Sequence, residues 1–136
     1  MTNIKNYHHP YGCSVEATLS VIAGRWKPVI IFKLLYSDVL RFGELKREIN
    51  GVTQRMLTNQ LRELEDDKII ERRVYAEVPP RVEYSLTDYG RTLEPIMMAM
   101  REWGARHTSR LEQSKPPQAK NFQPAMEEME ADQTKA

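Results

Sequence analysis

Between Phe42 and Leu86 the hydrophobic residues change their spacing once, and the change falls at Asp67. Before it the period is helical. Phe42, Leu45 and Ile49 step by three and four, and so do Leu57, Leu61 and Leu64. Asn50-Gly51 interrupts the two runs, and both residue types tolerate the left-handed backbone that closes a helix. Thr53 is the natural N-cap of the second run. After Asp67 the period is two. Ile70, Arg72 and Val74 alternate with Glu71, Arg73 and Tyr75, and Val82, Tyr84 and Leu86 alternate with Glu83 and Ser85. Ala76-Glu77-Val78-Pro79-Pro80-Arg81 lies between them as a hairpin loop stiffened by two prolines.

A helix, a tight turn, a second helix and a β-hairpin, in that order, predict a winged helix-turn-helix. The fold class is mainly α with a small β-hairpin. The flanking sequence extends it. Val15, Leu19 and Ile22 mark a first helix, with Cys13 or Ser14 at its N-cap and Gly24 as its stop. Pro28 suits the first position of a second helix, with Lys27 extended before it. Val29 to Tyr36 is apolar nearly all round and should be central to the core. Ser37-Asp38 breaks that helix, and Val39 to Arg41 reads as a short strand. Thr87 should cap a long last helix in which Leu93, Ile96, Met100, Trp103 and His107 form a near-heptad seam, bent between Arg91 and Pro95 by the proline. Residues 1–12 read as a flexible arm, residues 13–112 as one domain, and residues 113–136 as a mobile tail with a short helix near Ala125 to Ala131.

A chain of 136 residues, 40% hydrophobic and 29% charged, suffices for one hydrophobic core. No apolar run approaches a membrane span, and MTNIKNYHHPYG has no apolar signal region, so a cytoplasmic protein without membrane attachment is expected. The net charge of +1 says little about partners, because nucleic-acid binding depends on where the cations sit.

The helix from Thr53 to Asp67 carries the functional signal. At about 100° per residue with Leu57 at zero, Leu61 falls near 40° and Leu64 near −20°, while Thr58, Arg62, Arg55 and Asn59 fall at roughly 100° to 200°. The outward face thus holds two guanidiniums, an amide and a hydroxyl. Arg pairs bidentately with guanine, Asn with adenine, and Thr offers a hydroxyl and a methyl, all suited to a major groove. Thr53 and Gln54 open the same helix. Arg81 on the stiff loop would reach a minor groove, and Lys46 and Arg41 would touch phosphates. The bland alternative for each is a solvated charge; the tight turn before the helix and the wing after it favour DNA.

The segments CSVEATLSVIAGRWKPVIIFKLL, LRFGELKREINGVTQRMLTNQLRELEDDKIIERRVY, EVPPRVEYSLTDYG and REWGARH resemble the HxlR-type transcriptional regulators, winged-helix proteins related to the MarR group. The resemblance runs from Cys13 to about His107. It implies a homodimer on double-stranded operator DNA, and a repressor is the expected form of regulation. It also implies a dimer interface from the first and last helices: here Val15, Leu19, Ile22, Leu93, Ile96, Met100 and Trp103. Some relatives of this type use a cysteine just before the first helix to sense oxidants or electrophiles, which singles out Cys13. A helix N-terminus favours the thiolate, the reactive form. The competing role is a small apolar residue filling an interface.

Other chemistry is disfavoured. His8, His9, His107 and Cys13 match no zinc spacing, so no metal is expected. Nothing marks a nucleophile with its base or a glycine-rich phosphate loop, so neither an enzyme nor a cofactor is expected. The principal rival is a winged helix used for protein–protein assembly without specific DNA binding.

Overall fold

The computed structural model describes residues 12–114. The expected arm and tail, with His8, His9 and the short helix near Ala125, lie outside the described residues. The element order is α1 (Gly12–Ile22), α2 (Lys27–Ser37), β1 (Val39–Arg41), α3 (Phe42–Glu48), α4 (Gln54–Asp66), β2 (Ile70–Tyr75), β3 (Arg81–Leu86), α5 (Asp88–Arg91) and α6 (Glu94–Ser114). The three strands form one antiparallel sheet in the order β1-β3-β2. Leu40 faces Tyr84 across one ladder, and Arg72 faces Tyr84 across the other. The expected winged helix-turn-helix is therefore present. The chain divides after Met98 into two compact units, the second beginning at Ala99 within α6.

The core of the first unit follows from the helical spacing. Leu57, Leu61 and Leu64 of α4 are buried against Ile30, Ile31 and Leu34 of α2 and Leu45 of α3. Burying each such side chain contributes about 1.5–3 kcal/mol relative to leaving it in water. That face of α4 is fixed inward, so its rotation about its own axis is fixed too. The sheet adds Leu40, Ile70, Tyr84 and Leu86 from alternate strand positions.

Several local expectations require correction. α1 begins at Gly12, so Cys13 lies inside its first turn rather than at the N-cap. Lys27 is helical rather than extended: Trp26 occupies the N-cap of α2, and Pro28 stands in its first turn, where its missing N–H leaves no intrahelical bond unmade. The long last helix is two helices. Thr87 caps the short α5, accepting from the Gly90 N–H at 2.9 Å, and its hydroxyl also donates to the Lys68 carbonyl at 2.6 Å. Pro95 is the second residue of α6, so it opens that helix instead of bending a longer one.

Gly90 shows why the break sits where it does. A Cβ built there would overlap the Ile69 carbonyl oxygen and stand 3.0 Å from its carbon. Only a residue without a side chain lets α5 approach the start of β2 this closely.

Candidate nucleic-acid interface

The turn from Ile49 to Thr53 aims α4. Ile49 and Val52 are buried, while Gly51 turns the chain with φ +86°, a backbone that L side chains rarely adopt. Thr53 then caps α4 as the sequence predicts, its hydroxyl accepting from the Met56 N–H at 3.1 Å. With the leucine face buried, Thr53, Gln54, Arg55, Asn59 and Arg62 are exposed together. Thr58 differs: it is half-buried, and its hydroxyl donates to the Gln54 carbonyl at 2.8 Å. Its one donor is spent inside the helix, so it offers a methyl and an acceptor.

Thr58 and Arg62 also border a cleft of about 350 Å³ between α4 and the sheet, with Phe42, Leu61, Glu65, Arg72 and Tyr84. Arg72 of β2 therefore stands on the α4 side of the sheet. Lys46 on α3 and Arg41 on β1 are exposed. The backbone N–H of Arg41 donates to the Glu44 carboxylate at 3.0 Å, which fixes the start of α3.

The wing overturns one expectation. Arg81 is not at the loop tip but is the first residue of β3, paired in register with Tyr75. Its side chain is only 31% exposed. It lies 3.3 Å from Glu77 and 3.5 Å from Glu83, with its guanidinium 3.9 Å from the centre of the Tyr75 ring. Two carboxylates and an aromatic face hold it at the loop end of the hairpin, where Tyr75 and Arg81 form the last ladder pair. Arg73, exposed on β2, has its guanidinium held above the ordinary range, chiefly by a hydrogen bond with Tyr75.

Two cations near α4 carry no periodic signal in the sequence. Lys27 is buried, and its ammonium pairs with Glu63 of α4 at 2.6 Å. Arg25 stacks over the Trp26 ring at 4.5 Å. The GRWKP stretch gave no periodic signal for either.

The residues assigned to a dimer surface separate into two groups. Val15, Leu19 and Ile96 are exposed in the first unit, and Met100 and Trp103 in the second, where Trp103 stacks on His107. Ile22 and Leu93 are instead 5% and 9% exposed and belong to the chain's own core. Leu93 precedes α6 and packs inward, so the apparent seam does not include it. Cys13 is buried at 8% exposure. Among the described residues no group of His, Cys, Asp and Glu is placed to hold a metal ion, and no helix is long and apolar enough to cross a membrane.

Comparison with known proteins agrees with this architecture. Residues 21–112 match the family described as HxlR-like helix-turn-helix. The chain is 51% identical over 113 residues to the HTH-type transcriptional regulator YybR of Bacillus subtilis, covering 82% of this chain and 90% of that protein. Among solved structures it resembles the redox regulator HypR in its reduced form, with 52% identity and a TM-score of 0.69 over 74% of this chain and 98% of that one. It also resembles reduced YodB of B. subtilis, at 36% identity and a TM-score of 0.59 over 66% of this chain and 87% of that one. A helix-turn-helix with a polar, cation-bearing outer face and a three-stranded wing, matched over most of its length, leaves one assignment: the chain belongs to the HxlR-like helix-turn-helix family of transcriptional regulators, which are not enzymes.

Proposed function

We propose that the protein is a homodimeric cytoplasmic repressor that binds a specific double-stranded operator and releases it when Cys13 meets an oxidant or electrophile. The observation that carries the DNA-binding part is the rotation of α4. Three buried leucines turn Gln54, Arg55, Asn59 and Arg62 outward together. These side chains would read base edges in a major groove, with Thr58 contributing its methyl. Lys46 and Arg41 would hold the flanking phosphates.

The dimer is supported by apolar residues left uncovered on α1 (Val15, Leu19) and, separately, on α6 (Met100, Trp103). Twofold symmetry then calls for a roughly palindromic operator with half-sites about 34 Å apart. Sensing by Cys13 is supported by its place in the first turn of α1 and by relatives named as redox regulators. Its burial makes it responsive only to reagents small enough to reach it.

Selection of bound duplexes from a random pool, with and without diamide, tests both parts. An inverted repeat should be enriched without diamide and lost with it, and Cys13→Ser should bind equally in both. Failure to enrich any sequence refutes specific DNA binding. A diamide response that persists in Cys13→Ser refutes the sensor.

A further inference from the structure

Arg25, Trp26 and Gly51 form a stack against the turn that leads into α4. The Arg25 guanidinium lies 4.5 Å from the centre of the Trp26 ring. Trp26 is half-buried and packs against the core. Its Cη2 atom lies 3.6 Å, and the Arg25 Nη2 nitrogen 4.0 Å, from where a Cβ on Gly51 would stand. The cation is thus held beside the turn of the helix-turn-helix, although it comes from the loop between α1 and α2.

Arg25 itself is exposed, and no carboxylate among the described residues lies within ion-pairing distance of it. This contrasts with Arg81, whose guanidinium lies against the carboxylates of Glu77 and Glu83. An exposed cation stacked on an anchored aromatic ring has already lost much of its side-chain freedom, so an anion that meets it incurs little further ordering cost. When the N-terminal half of a recognition helix enters a major groove, the segment preceding that helix runs beside the DNA backbone. We infer that Arg25 is a backbone-phosphate contact, preorganised by Trp26 and independent of base sequence. This rests on the DNA-binding reading above.

The experiment measures binding of the full-length protein across a salt series. It uses two duplexes, one recovered from the random-pool selection and one of arbitrary sequence. For Arg25→Ala the slope of log K against log salt should shrink by about 0.9 per protomer, or about 1.8 per dimer. Affinity should fall by the same factor on both duplexes, leaving their ratio unchanged. Arg25→Lys should regain most of the slope, because it restores the charge. A wild-type slope in Arg25→Ala, a loss confined to the selected duplex, or no recovery in Arg25→Lys overturns the inference while leaving DNA binding intact. A flat salt dependence in the wild type overturns the DNA-binding reading and this inference with it.

Discussion

The ion pair between Lys27 and Glu63 should respond unequally to removal of its two ends. The Lys27 side chain is 10% exposed and Glu63 is 55% exposed, at an N–O distance of 2.6 Å. Glu63→Gln leaves an ammonium with little water around it and only a neutral amide to meet it. Stranding a fully buried charge costs about 3–5 kcal/mol. Glu63 is solvated and the amide oxygen still accepts, which lowers the expected loss to about 1–3 kcal/mol. Lys27→Met removes the buried charge and keeps an unbranched apolar stem. The carboxylate left behind is re-solvated, so the expected loss is about 0–1 kcal/mol. The double variant should resemble Lys27→Met alone, because the charge that made Glu63→Gln costly is gone. Urea denaturation at fixed protein concentration measures all three, with an unchanged m-value required for the comparison. Equal losses from the two single variants, or a greater loss from Lys27→Met, would refute the argument that burial of the ammonium sets the cost.

Three further outcomes follow from the packing. Gly90→Ala should destabilise the fold by about 1–3 kcal/mol or more, read as a fall in melting temperature, because its Cβ meets the backbone of Ile69 rather than a side chain that could move. Arg55→Ala and Arg62→Ala should each weaken binding to a selected duplex by about 1–3 kcal/mol where they read a base; a loss equal on every sequence would make the residue a phosphate contact instead. Arg81→Ala should cost roughly 1 kcal/mol of stability through its Tyr75 and carboxylate contacts and leave base preference unchanged; a changed preference in repeated selection would return Arg81 to the DNA.

The helix-turn-helix was legible because its signals are local. Thr53, Gly51 and the spacing of Leu57, Leu61 and Leu64 act within a few residues of one another, and each has the conformation its chemistry prefers. The misread positions depend on partners distant in sequence or on where a helix starts. Pro95 kinks a helix that begins at Asp88 but opens one that begins at Glu94; the approach of Gly90 to Ile69, across the fold, accompanies the second outcome. Leu93 fits a heptad by count alone, yet it precedes α6 and turns into the core.

The cations show the same division between those the fold pairs with carboxylates and those it leaves without one. Arg81 and Arg62 are both arginines that the sequence offers for DNA, one on a loop and one on a helix face. They differ in what the fold brings to them. Strand register sets Tyr75 opposite Arg81, with Glu77 and Glu83 in reach, so that guanidinium is already partnered. Lys27 is likewise taken by Glu63 from another helix. Arg25, Arg55 and Arg62 have no carboxylate at ion-pairing distance among the described residues, and all three belong to α4 or to the segment stacked against its turn. Positive charge left uncompensated beside an outward-facing helix is what a phosphate backbone neutralises with release of counterions. A net charge near zero is compatible with that role, because Glu63, Glu77 and Glu83 lie against Lys27 and Arg81, while Arg25, Arg55 and Arg62 have no carboxylate at ion-pairing distance among the described residues.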